Sequence, residues 1–182
     1  LVSGGGTNLQ AILDAVDAGK ITDTEITVVI SNNPGAYALE RAKKHGIEAL
    51  CISPKDYENR DAFNEAFLNK IDEYHLDLIV LAGFLVKIPA AMIEKYEGKI
   101  INIHPSLLPA FRGAHAIEQA LEYGVKVFGV TIHYVDATLD GGKIISQRAF
   151  GYDGDDIAEL EARIHAVEYP LYIETINKLL KE

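Results

Sequence analysis

Five apolar residues in a row, Leu78-Ile79-Val80-Leu81-Ala82, constrain the fold more than any other stretch of the chain. A strand with one face in water alternates apolar and polar side chains, whereas a strand that is apolar throughout is covered on both faces. Such strands sit inside parallel sheets, and parallel neighbours need long crossovers, usually helices. The flanking segments supply them. Leu9 to Ala18 is apolar at Leu9, Ile12, Leu13 and Val16, a helical spacing. Ile26 to Ile30 is β-branched and reads as a strand, Ala36 to His45 as a helix closed by Gly46, and Leu50 to Ile52 as a short strand. Asp61 to Tyr74 returns to helical spacing, and Pro89 suits the first residue of a helix reaching about Tyr96. Lys99 to His104 is the next strand, and Ala116 to Tyr123 the next helix, ended by Gly124. Val127 to Val135 and Lys143 to Phe150 read as strands able to pair antiparallel across Gly141-Gly142. Asp155 to Lys181 reads as one long helical stretch, bent near Pro170. This alternation specifies an α/β protein, a doubly wound, mostly parallel (mixed) sheet with helices on both faces. No linker or repeat interrupts the 182 residues, so a single domain over 1–182 is expected. Leu1-Val2 reads as the end of a first strand that begins upstream, not as a secretory leader.

Charge and cysteine content narrow the function. The formal net charge is −10, whereas nonspecific nucleic-acid binding uses a basic face. A local cationic pocket for a phosphorylated small molecule is still compatible with that balance. Cys51 is the only cysteine, so neither an intrachain disulfide nor a cysteine-held zinc can form. That usage fits a reducing, cytoplasmic setting. No apolar run approaches the ~20 residues of a membrane span.

Ligands of open α/β sheets bind outside the carboxyl ends of the strands, and the notable motifs fall at such ends. Ser3-Gly4-Gly5-Gly6-Thr7-Asn8 follows a strand and opens a helix, where glycines let a backbone approach an anion and the first N–H groups lack partners. Thr7 or Asn8 can cap that helix. No Gly-Lys-Ser/Thr is present, and Leu9 replaces the third glycine of the dinucleotide fingerprint, so neither a nucleoside-triphosphate loop nor NAD binding is indicated. The loop reads either as a phosphate site or as a capped tight turn. Asn102 and His104, two apart at the end of a strand, point the same way and can engage one oxygen atom. Read singly, His104 is a histidine satisfied by its neighbours. Asp140, in Leu139-Asp140-Gly141-Gly142, is either a hairpin-turn acid or the partner of that imidazole, with Asp136 as a rival carboxylate. Ser106 lacks a nucleophile elbow and reads as a loop-shaping residue. His104, His133 and His165 show no metal-ligand spacing, so no metal is expected. Arg60 and Glu168 read on their own as surface charges.

Taken together, Ser3 to Gln10, Leu81 to Phe84, Asn102 to Pro109, Phe111 to His115 and Leu139 to Gly142 resemble the folate-dependent formyltransferases, in particular the glycinamide ribonucleotide transformylase family. The likeness spans essentially the whole chain. It implies transfer of the formyl group of 10-formyltetrahydrofolate, as cosubstrate, to the amine of 5′-phosphoribosylglycinamide in purine synthesis. It implies catalytic roles for Asn102, His104 and Asp140. It places the substrate at Gly6, Thr7, Asn8 and Glu168. It places folate at Arg60, at Leu85, Val86, Lys87 and Ile88, at Asn102, and at Asp136, Ala137, Thr138, Leu139 and Asp140. The implied partners are small molecules, with neither nucleic acid nor membrane, and the implied state is a monomer or homodimer. Rival readings are a formyltetrahydrofolate hydrolase, a domain that formylates initiator methionyl-tRNA, and a noncatalytic phosphometabolite binder.

Overall fold

A computed structural model describes residues 1–182. In chain order the elements are α1 (Thr7–Asp17), β1 (Val28–Ser31), α2 (Tyr37–Lys44), β2 (Glu48–Cys51), α3 (Arg60–Asp72), β3 (Ile79–Leu81), α4 (Ala90–Lys95), β4 (Ile100–His104), α5 (Ala116–Tyr123), β5 (Val127–Tyr134), β6 (Ile144–Gly151) and α6 (Ile157–Leu179). One 3-10 turn, Pro54–Asp56, precedes α3. The chain forms two compact units, Leu1–Ile100 and Ile101–Glu182. No helix is long and apolar enough to cross a membrane.

The first unit is parallel. β1 pairs with β2 from Val28–Glu48 to Ser31–Cys51. Val2 bridges Ser31 in parallel. The Leu1 amine donates to Val80 O at 2.7 Å and Ala82 N donates to Leu1 O at 2.9 Å, the slanted pattern of parallel neighbours. The apolar run at 78–82 is therefore a strand, shortened to three residues because Gly83, at φ 74°, turns the chain away. Ile79 and Leu81 are buried and Val80 is half-buried. Leu9 and Leu13 of α1 and Ala38, Leu39 and Ala42 of α2 pack with Val2, Val29 and Ala82 as one apolar cluster. Their three- and four-residue spacing is the stripe that a buried helix face requires.

The second unit is antiparallel. β4 pairs with β5, placing Asn102 opposite His133 and His104 opposite Thr131. β5 pairs with β6 as its pattern suggested, with a bulge at Ile132/His133. Directly paired residues share a face of the sheet. Parity therefore sorts Asn102, His104, Thr131, His133 and Gln147 onto one face, and Ile101, Ile103, Val130 and Ile132 onto the other. α6 packs on β5 and β6, and Tyr172 of α6 donates to Ile101 O at 3.4 Å. The Asp156 carboxylate starts α6 by accepting from Ala158 N and Glu159 N. As the one long helical stretch expected, the helix runs through Pro170 to Leu179. A mid-helix proline costs about 3 kcal/mol. The buried side chains of Leu171, Tyr172, Thr175 and Ile176 just beyond it offset that cost.

Candidate active site

The polar face of the second unit gathers Asn102 and His104 with Thr131, His133 and Gln147. Its scaffold is the proline-flanked loop after β4. Thr131 donates to Ser106 O at 2.7 Å and accepts from Leu108 N at 3.0 Å, while Gln147 donates to Leu108 O at 3.0 Å. Ser106 donates to Ala110 O at 2.6 Å, a structural bond that fits the loop-shaping reading. So fixed, the loop offers Phe111 O to His104 Nε2 at 2.8 Å. A carbonyl only accepts, so Nε2 carries the proton and Nδ1 faces elsewhere.

Nδ1 of His104 faces Asp140, at 3.5 Å from Oδ2. Asp140 is held by Gly113 N, which donates to the same oxygen at 2.7 Å. Its backbone lies in the left-handed region at φ 47°, a conformation asparagine and aspartate tolerate better than other side chains. The turn is set by Gly142, where any Cβ would lie 1.8 Å from Tyr134 O. Asp136, the rival carboxylate, is turned onto its own loop. It accepts from Thr138 Oγ1 at 2.6 Å and Thr138 N at 2.8 Å, and the Thr138 hydroxyl, with a smaller pull from His133 and Arg112, holds its carboxyl below the usual range.

His133 completes the cluster, and the sequence reading passed over it. Its Nε2 lies 3.3 Å from Asn102 Nδ2 and 3.9 Å from Asp140 Oδ1, and its Nδ1 lies 2.9 Å from Tyr134 O. Donation from Nδ1 to that carbonyl leaves Nε2 as an acceptor for the Asn102 amide, the neutral tautomer. Burial to 2% exposure pushes its pKa down, against the opposing pulls of Tyr134 O and Asp140. A neutral His133 thereby fixes which end of the Asn102 amide is the donor. The signal was present as parity: Thr131 and His133 alternate with Phe128, Val130 and Ile132 along one strand.

The remaining expected residues fall into local groups. Gly6, not Thr7 or Asn8, occupies the cap of α1, at φ 73° and without a side-chain cap, while Thr7 and Asn8 form the first turn. Glycine replaces a side-chain cap here because a Cβ at Gly6 would meet Ala38 Cβ at 2.6 Å. Arg60 is exposed, as its surface reading expected, but its guanidinium is engaged. It donates to Lys87 O at 3.1 Å and lies over the Phe63 ring, which ties α3 to the Leu85–Ile88 segment. Leu85 N donates to Ser3 Oγ at 2.8 Å while its side chain stands 86% exposed. Val86 is half-buried, Lys87 exposed and Ile88 buried. Leu139 is 71% exposed and Ala137 is also exposed. Glu168 is buried on α6 with Oε2 2.8 Å from His165 Nδ1, and this carboxylate raises the His165 pKa.

A family model described as formyl transferase matches residues 1–176. The chain is 41% identical over 179 residues to the phosphoribosylglycinamide formyltransferase of Bacillus subtilis (strain 168), covering 98% of this chain and 91% of that protein. Glycinamide ribonucleotide transformylase 1 from Symbiobacterium toebii superposes with a TM-score of 0.92 at 46% identity, over 97% of this chain and 83% of that one. Phosphoribosylglycinamide formyltransferase from Bacillus halodurans superposes with a TM-score of 0.93 at 43% identity, over 100% and 93%. The mixed α/β architecture expected from the alternation of elements is the architecture of these enzymes. The chain belongs to the formyl transferase family.

Proposed function

We propose that this protein is a single catalytic domain that transfers a formyl group from 10-formyltetrahydrofolate to the primary amine of 5′-phosphoribosylglycinamide. The observation that carries the reading is His104, Asp140, Asn102 and His133 converging on one polar sheet face. The folate cosubstrate supplies the formyl carbon. The exposed apolar side chain of Leu139 suits contact with a flat heterocycle, and within the first unit Arg60 braces the Leu85–Ile88 segment.

The amine nitrogen bonds to the formyl carbon, and the bond from that carbon to the folate nitrogen breaks. One proton leaves the amine and one reaches the departing nitrogen, so no outside reactant is needed. Asn102 donates to the formyl oxygen as negative charge develops there, its amide held the right way round by neutral His133. His104, protonated, adds positive charge at the same oxygen, and Asp140 stabilises that cation across 3.5 Å. Asp140 is also the carboxylate placed to relay the amine proton, directly or through a water. Gly6, Thr7 and Asn8 hold the substrate phosphate at the start of α1, and Glu168 accepts from the ribose hydroxyls.

Consumption of 10-formyltetrahydrofolate by the purified protein, with and without glycinamide ribonucleotide, tests this. The expected result is consumption only with the amine, with one formylated product per folate released. Equal consumption without amine, yielding free formate, identifies a hydrolase instead. Binding of both ligands with no turnover identifies a noncatalytic binder.

A further inference from the structure

The carbonyl oxygens of three successive glycines are all engaged. Gly4 O accepts from Ala38 N at 3.1 Å, Gly5 O from Arg41 Nε at 2.7 Å, and Gly6 O from Gln10 N at 2.8 Å. In a trans peptide the carbonyl of one residue and the N–H of the next point in opposite directions. The N–H groups of Gly5, Gly6 and Thr7 are therefore turned away from these partners. Consecutive N–H groups around a left-handed residue form a concave nest for an anion.

One of these peptides needs an anchor. The Gly5–Gly6 unit lies between two residues without side chains, so rotation of its plane meets little steric resistance. Rotated, it would present a carbonyl oxygen where the nest presents an N–H. The Arg41 side chain restrains it. That guanidinium is fixed by more than this one bond. Its NH1 donates to Gln10 Oε1 at 3.0 Å, and its carbon lies 4.9 Å from the centre of the Tyr37 ring. Gln10 is oriented in turn, since its amide nitrogen lies 2.8 Å from Asp14 Oδ1 and 3.1 Å from His45 Nε2. His45 Nδ1 lies 2.8 Å from Asp17 Oδ2. The result is one string of donors and acceptors, Arg41 to Gln10 to His45 to Asp17, ending on the Gly5 carbonyl.

We propose that Arg41 is the positioning residue of the phosphate loop, locking the Gly5–Gly6 peptide with its N–H toward the ligand and placing a fixed positive charge behind it. This rests on the reading of Gly6 to Asn8 as the phosphate site. Lysine cannot replace it, because a single ammonium cannot bridge Gly5 O and Gln10 Oε1 in the planar geometry of a guanidinium.

The test compares wild type with Arg41→Met, Arg41→Lys and Gln10→Leu. It measures ribose 5-phosphate and inorganic phosphate affinity by calorimetry, KM and kcat of formyl transfer, and thermal melting. Loss of a charge-assisted restraint is expected to weaken ribose 5-phosphate binding about tenfold to a hundredfold in Arg41→Met. KM for the phosphorylated amine should rise in parallel, with kcat and the folate KM within about threefold, because charged bonds of this size are spent on binding alone. Arg41→Lys should recover only part of the loss, and Gln10→Leu should show a smaller loss in the same direction. Wild-type phosphate affinity in Arg41→Met, or a fall in kcat at unchanged KM, overturns the proposal. If Arg41→Met does not fold, unchanged ribose 5-phosphate affinity in Gln10→Leu overturns it. Wild-type protein that transfers formyl groups yet ignores ribose 5-phosphate also overturns it and leaves the function intact. Phosphate affinity lost in Arg41→Met, in a protein whose wild type transfers no formyl group, supports Arg41 and sinks the function.

Discussion

Nε2 of His104 is committed to Phe111 O, which leaves Nδ1 and the Asp140 carboxylate for the proposed chemistry. Removing one donor to a developing oxyanion typically lowers turnover by about 10²–10³. Asn102→Ala and His104→Ala should each show that loss in kcat, with KM for both substrates nearly unchanged, and steady-state kinetics of the two variants checks it. His133 and His165 titrate with opposite consequences. Burial holds His133 neutral, with a folded pKa below its unfolded value. The unfolded chain then binds more protons as the pH falls, so the stability from keeping His133 neutral is complete above about pH 6.5 and is lost below it. His165 is raised by Glu168. Its contribution is complete below about pH 6.5 and is lost as the pH rises through the raised value. Urea midpoints measured from pH 5 to 8 should show a shallower acid decline in His133→Gln than in wild type, and a shallower alkaline decline in His165→Ala. Identical pH profiles for all three proteins would contradict both assignments.

Elements set how well these side chains are aimed. The turn carrying Asp140 rests on Gly142, whose absent Cβ makes room for the Tyr134 carbonyl, a backbone atom that cannot swing aside. Gly142→Ala should therefore displace Asp140 and lower kcat by about 10²-fold in a protein that still folds, since misplacement of about 1 Å costs that much. Circular dichroism together with kinetics separates this from unfolding. At the other end of the unit, Asp156 caps α6 with two bonds, and Asp156→Ala should cost about 1 kcal/mol of stability by denaturant titration without touching turnover. The same contrast explains what was legible in the sequence. Helices α1, α2, α3 and α5 and the antiparallel pair β5–β6 followed from spacing between near neighbours, as did the shared direction of Asn102 and His104. The place of His133 in the cluster did not, because its partners lie 31 residues away at Asn102 and across a turn at Asp140. Between Asp140 and Asp136 the residues alone did not decide, and only the resemblance favoured Asp140. In the structure Thr138 occupies Asp136, and Gly113 N holds Asp140. The engagement of Arg41 with Gly5 joins residues 36 apart and leaves no local pattern.

The molecule as a whole is acidic, with a net charge of −10, yet the reading gives it a phosphorylated substrate and a folate. Long-range attraction cannot supply that binding, which must come from local devices such as the glycine loop and Arg41. Phosphate affinity should therefore fall only gently with added salt, because the groups that confer it are short-range and partly shielded. Calorimetry with ribose 5-phosphate from 50 to 500 mM sodium chloride checks this, and a steep collapse of affinity would point instead to a diffuse surface effect. The family likeness extends over residues 1–176 and so takes in both compact units. The proposed chemistry converges on the 3.5 Å approach of Asp140 to His104. The most direct measurement is single-turnover formyl transfer to glycinamide ribonucleotide by wild type and Asp140→Asn, from pH 6 to 9. The account predicts a variant slower by at least about 10² across that range, with both substrates still bound. A variant that transfers the formyl group at the wild-type rate near neutral pH would contradict it.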